Sequence, residues 1–498
     1  MESIASTLSD FFSTGAVPGY MLTKVALQRG LALVYLVGFV VAFNQFRPLL
    51  GEHGLLPVPQ FIKYAGFSDA PSLFQIFPYD WAFASAAFAG AAVSALALFG
   101  VTERFGAGVS MASWFLMWVL YMSFVNVGQT FYSFGWESLL LEAGFLAAFL
   151  GPAGRQPPFL IILLFRWLLF RVMFGAGMIK LRGDSCWRDL TCLYYHFETQ
   201  PMPNPLSWFF HWLPKPMLRG GVVFNHFVEL VVPFAYVLFQ PVAAIAGIIT
   251  IAFHLMLAVS GNFAWLSFLT MILSFSLLDD RVLSFFSTPA VAAMLPGPML
   301  GTAAIVVFGL FALISFAPII NLLSPRQAMN TDYNPLHLGG SYGAFGSITR
   351  PRDEVIVEGT DDAALSDATV WKEYGFRGKP GDVGKMPPQI APYHYRLGWL
   401  MWFASFSDAR NEPWFVFMLG KLLQNDKGTL SLLASNPFPD APPRYVRAEL
   451  YEYRFTTPEE RKKTGAWWSR TFVREYFPPM SLDQAKKALP PFVFAKTE

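Results

Sequence analysis

Five residues in the second quarter of the chain have the types and spacing for proton-transfer chemistry: Lys180, Asp184, His196, Glu198 and His226. The first four lie in GAGMIKLRGDSCWRDLTCLYYHFETQPMPNP (175–205), a charged, aromatic loop that follows an apolar run ending near Ile179. A lysine at the polar end of such a run can lose part of its basicity by desolvation and act as a general base. It can equally snorkel and anchor the helix end. His226 and Glu229 are three residues apart and would share a helix face, with His254 on the next apolar run. That pattern is too loose for a metal site, so the expectation is an interhelical hydrogen-bond cluster, with no metal and no cofactor. The two cysteines, Cys186 and Cys192, both fall in this loop. They form either a small-loop disulfide, if the backbone brings the Cα atoms close enough, or two buried thiols. The CxxC spacing of a thiol-exchange enzyme is absent.

The elements that must position these groups are membrane spans. The first 323 residues hold 14 Lys/Arg and 14 Asp/Glu, whereas residues 324–498 hold 22 and 20. The division predicts a multi-span membrane domain (1–323) with a 180–220 loop, followed by a soluble domain (324–498). Apolar runs near 30–46, 81–101, 106–127, 134–151, 158–179, 222–239, 240–258, 262–278 and 300–322 give eight or nine candidate spans. Lys24 and Arg29 before the first run favour a cytoplasmic N-terminus, so nine spans place the soluble domain outside and eight place it inside. The net charge of +2 gives no reason to expect a nucleic-acid partner.

Intramembrane charges should pair or line a cavity. Glu137 and Glu142 in one run, and Arg166 and Arg171 in another, form a natural pairing of adjacent helices, and with His226 and Glu229 they make a candidate polar network. After residue 324 the pattern becomes β-type. DEVIVEGT reads as a strand, and RYVRAELYEYRF alternates, with Tyr445, Tyr451, Tyr453 and Phe455 on one face. HYRLGWLMWFASF (394–406) reads as a helix. The expected fold is therefore a polytopic α-helical membrane domain followed by a β-rich soluble domain. Trp371, Tyr374, Trp399, Trp402, Trp467 and Trp468 are candidates for an aromatic partner-binding surface or for that domain's core.

The 175–205 run, with GWESLLLEAG (135–144), FNHFVELVVPF (224–234), YGAFGSITRPRDEVIVEGTDD and EYGFRGKPGD, resembles the lipase maturation factor family from about Leu22 to Phe477. The resemblance implies a membrane-bound chaperone for the folding and assembly of secreted lipases, with an extracytoplasmic C-terminal domain. Its partners would be membrane lipids and a client lipase or another exported protein. The membrane would be that of the endoplasmic reticulum in a eukaryote. The Ala- and Gly-rich spans and the lack of an N-x-S/T acceptor suit a bacterial member in a cell inner membrane. A shorter resemblance links AGMIKLRGDSCW to vitamin K-dependent gamma-carboxylase. It implies the alternative of a membrane enzyme acting on a lipid or quinone-like substrate, with Lys180 as base.

Overall fold

The computed structural model describes residues 19–286 and 294–495. The nine apolar runs form helices that alternate in direction: α1 (Met21–Leu50), α2 (Asp80–Leu98), α3 (Ala107–Asn126), α4 (Gly135–Ala147), α5 (Phe159–Arg182), α6 (Lys215–Leu230, continued as a 3-10 turn to Val237), α7 (Val242–Ser260), α8 (Leu266–Ser274, continued to Leu277) and α9 (Pro298–Ile314, extended by α10, Phe316–Leu323). Seven of these segments are long and apolar enough to cross a membrane, making this an integral membrane protein. The exceptions are α4 and α8. Thirteen residues of α helix rise only about 20 Å against an apolar layer of about 30 Å, so α4 stays inside the bundle, its length almost entirely buried.

The first helix starts earlier than the apolar run, because its polar N-terminal turns have partners. Lys24 donates to the carbonyls of Pro152 and Arg155 at 2.6 Å, and Arg29 pairs with Glu103 at 3.0 Å. Helix α2 is rich in alanine, which lets it lie close against α1, and Gly90 sits directly under the Phe39 ring. Its N-terminus is tied by a reciprocal pair of bonds: Asp80 accepts from the Glu52 amide and Glu52 from the Asp80 amide, both 2.9 Å.

One pole of the bundle holds the start of α1. The other meets the C-terminal domain: Gln45 donates to the His394 carbonyl (2.7 Å), Asn126 to that of Pro335 (3.0 Å) and Asn262 to that of Pro388 (2.9 Å). The domain is built on a four-stranded antiparallel sheet of β1 (Arg352–Thr360), β2 (Lys372–Glu373), β5 (Tyr445–Phe455) and β6 (Trp468–Ser481), in the order β2-β1-β5-β6. Strands β3 (Gly375–Phe376) and β4 (Leu433–Ser435) form a small second sheet. The 394–406 segment is helix α11 (Arg396–Ala404), followed by α12 (Pro413–Leu422).

Both faces of the main sheet are covered. Val355, Val357, Val446, Ala448 and Leu450 pack into the main core with α11 and α12. The opposite face presents Ile356, Tyr453, Phe455 and Trp468 to Trp208 of the 180–220 loop. The aromatic face of β5 therefore meets the membrane domain rather than solvent.

Candidate functional site

A cavity of about 1020 Å³ lies where α4–α7, the 180–220 loop, the 327–347 segment and α11 converge. Its wall is mainly apolar, with Met173, Phe197, Phe253, Leu257, Phe345 and Phe403 among its residues. Lys180, His196, Asn225, Glu229 and His254 line it as well, with Lys180, Glu229 and Asn225 in direct contact.

Lys180 is the last buried residue of α5. Its ammonium donates to Glu229 Oε1 at 2.5 Å and lies 5.2 Å from the Trp187 ring centroid. Glu229 Oε2 accepts from Asn225 at 2.8 Å, one helical turn earlier on α6. Lys180 and Glu229 are both buried, so each charge is held by the other. His196 is buried in the same wall, and its Nδ1 has no hydrogen-bond partner among the described residues. Burial, reinforced by the Lys180 charge, pushes the His196 imidazole down to about 3, so it is neutral at physiological pH. His254 places Nε2 3.2 Å from Met173 Sδ.

The other loop candidates go elsewhere. Asp184 caps the short helix Ser185–Arg188 and forms a bidentate pair with Arg350 (both contacts 2.9 Å), which holds its carboxyl down at about 2. Glu198 accepts from the Phe455 amide at 2.7 Å beside His211, and burial pushes it up to about 7. His226 faces the loop, with Nε2 3.0 Å from the Trp187 carbonyl. The five candidates therefore do not converge: only Lys180 and His196 line the cavity. Among the described residues no group of three His, Cys, Asp or Glu is placed to hold a metal ion. Cys186 and Cys192 are joined by a disulfide, their Cα atoms 4.7 Å apart, buried with Trp187, Val222 and Ile348.

The charge pairing read from the sequence is half corrected. Arg171 does pair with Glu142, whose Oε2 also accepts from the Gly339 and Gly340 amides and from Tyr342 (2.9 Å). Glu137, however, pairs with Arg396 of α11 at 2.8 Å and accepts from Tyr121 at 2.5 Å. Arg166 is left to carbonyls, those of Ser276 (3.0 Å) and Tyr236 (3.3 Å), and to the Tyr20 hydroxyl (3.1 Å). The membrane charges thus reach into the C-terminal segment. Arg396 was the missed partner, a cation within the apolar RLGWLMWF run.

None of the six aromatic candidates is exposed. Trp371 lies under Arg447 (4.2 Å) and Trp467 under Arg461 (3.5 Å). Tyr374, Trp399 and Trp468 are buried, and Trp402 donates to the Thr199 carbonyl at 3.0 Å. Phe403, Phe406, Phe472 and Val473 are exposed instead.

The base chemistry implied for Lys180 has no support in this geometry, since its ammonium serves as a donor to Glu229. No solved structure gives a significant match. The family model for the lipase maturation factor transmembrane domain matches residues 22–285, and that for the lipase maturation factor C-terminal domain matches 338–478. The chain is 43% identical to lipase maturation factor 1 of Homo sapiens, covering 94% of this chain and 89% of the relative. It is 42% identical to that of Bos taurus over 93% and 89% of the two chains. Against lipase maturation factor 2 of Xenopus tropicalis it is 28% identical over 93% and 82%. With both regions matched and the human relative aligned over most of its length, the chain belongs to the lipase maturation factor family.

Proposed function

We propose that this protein is a membrane-bound maturation factor that assists the folding or assembly of an exported lipase. The observation that carries the reading is the alignment over 94% of the chain with a relative named for lipase maturation. The two regions are also locked together, since Glu137 and Glu142 of α4 are satisfied by Arg396 and by the 339–342 backbone and hydroxyl groups. A client held on the soluble domain would thus be held at a fixed position above the membrane.

The soluble domain is assigned to the extracytoplasmic side, which is the endoplasmic reticulum lumen in a eukaryote and the periplasm in a bacterium. The Cys186–Cys192 disulfide lies at that pole, and disulfides persist in oxidising compartments. Lys24 and Arg29 lie at the opposite pole, as the positive-inside tendency favours. The open apolar side chains on this domain, Phe472 and Val473 of edge strand β6 and Phe406 after α11, are the surface offered to a partly folded client.

The test is complementation. Cells lacking their own lipase maturation factor would express this chain with a secreted lipase, and active lipase in the medium would be measured against lipase protein. Restored specific activity is expected. No restoration, with the chain in the membrane at the level of a working control, would remove the lipase reading.

A further inference from the structure

We propose that the cavity above α5–α7 binds a neutral acyl lipid of the monoacylglycerol or diacylglycerol class, its hydroxyl or ester head against His196 and the Lys180–Glu229 pair and its acyl chain along the apolar wall that includes Leu257 and Phe403. The volume of about 1020 Å³ is at the upper end of small-molecule sites, and the wall is mainly apolar, with one buried polar cluster built around the Lys180–Glu229 pair. That is the shape and polarity of an amphiphile.

The charge balance selects the head group. The single cation of the polar cluster, Lys180, is neutralised by Glu229, and Asn225 occupies the second carboxylate oxygen. The imidazole of His196 is uncharged, and its Nδ1 has no hydrogen-bond partner among the described residues. His254 places one ring nitrogen against the Met173 sulfur, and its Nδ1 has no hydrogen-bond partner among the described residues. Of the remaining ionisable groups in the wall, Glu412 accepts from Trp414 and Ser407, and Tyr342 donates to Glu142. An ionised carboxylate or phosphate would therefore enter a site with no uncompensated positive charge and lose its hydration without return. A hydroxyl or ester carbonyl loses far less and finds donors and acceptors of its own kind.

The position supplies access. Met217, at the start of α6, and Phe403 of α11 both line the cavity and are 59% and 41% exposed. Met217 stands at the start of a spanning helix and Phe403 in the soluble domain above it, so the exposed edge of the cavity lies where the two regions meet.

The experiment uses the full-length protein in phosphatidylcholine nanodiscs with a monoacylglycerol carrying a photoactivatable acyl chain. Expected is labelling of peptides spanning residues 172–197 and 253–260, competed by unlabelled 1-oleoylglycerol but not by oleate. His196→Leu should weaken competition about fivefold, the value of one hydrogen bond, while His196→Gln retains it. Leu257→Trp, which adds bulk to the apolar wall of the cavity, should abolish cavity labelling in protein that remains monodisperse. Label confined to the lipid-facing sides of α2 and α9, or equal competition by oleate, would overturn the proposal. So would wild-type behaviour of both His196→Leu and Leu257→Trp. The readout is binding alone, so its failure leaves the lipase reading untouched, and failed complementation leaves the cavity assignment untouched.

Discussion

Removing the Glu137 carboxylate should uncouple the soluble domain from the membrane bundle. Glu137 and Arg396 are both fully buried, with Nη1 and Oε1 2.8 Å apart. Arg396 also donates to the Phe131 carbonyl (2.7 Å) and lies 3.4 Å from the Tyr132 ring centroid. In Glu137→Ala the guanidinium keeps these contacts but loses the one carboxylate that pairs with it among the described residues, and the Tyr121 hydroxyl loses its acceptor. Leaving one member of a buried pair uncompensated costs about 3–5 kcal/mol. At about 2–4 °C per kcal/mol for a domain of this size, the soluble-domain transition should fall by roughly 6–20 °C. Differential scanning fluorimetry in detergent reads the shift, and limited proteolysis in the 324–351 segment reads the undocking. The double variant Glu137→Leu with Arg396→Met removes both charges and should recover at least half of the loss, because no charge is left stranded. Arg410→Ala, which breaks an exposed pair with Asp408, is the control and should leave the transition in place. If Glu137→Ala behaves like that control, or if the double variant is no better than the single, the pair does not hold the two regions together.

Three further outcomes are expected. Cys186→Ser should destabilise the 175–205 loop by roughly 2 kcal/mol, the chain-entropy value for so short a loop, and mass spectrometry of the unreduced wild type should find no free thiol. Two loop groups should tilt the pH dependence of stability in opposite directions. Glu198 is raised to about 7 in the folded chain, so its contribution is fully present below the ordinary value near 4.3 and lost as pH rises towards 7, and Glu198→Gln should flatten that loss. His196 is depressed to about 3, so its contribution is present above about 6.5 and lost as pH falls, and His196→Gln should relieve that acid sensitivity in denaturant melts between pH 4 and 7. Gly144→Val should sharply reduce folded protein recovered by gel filtration, because a Cβ at that point of α4 would run into the buried Tyr35 hydroxyl.

Composition and period were enough to divide this chain. The apolar runs and the rise in charge after residue 323 set the membrane and soluble regions, since hydrocarbon tolerates few charges and a span needs about 20 apolar residues. Alternation placed Tyr453 and Phe455 on one face of β5, and HYRLGWLMWFASF contained helix α11, because both patterns are local. The partners of the buried charges were not local. Arg396 lies 259 residues from Glu137, and nothing in either neighbourhood distinguishes it from the nearer Arg166. The fate of the tryptophans was likewise decided by docking: the 180–220 loop covers one sheet face and buries Trp468, and α11 meets α4 and buries Trp399. The sequence thus determined which residues leave water. The tertiary structure decided which charge each buried charge meets, and it set the Lys180–Glu229 pair and a neutral histidine in the wall of a mainly apolar cavity, because that choice depends on helix ends brought together only by packing.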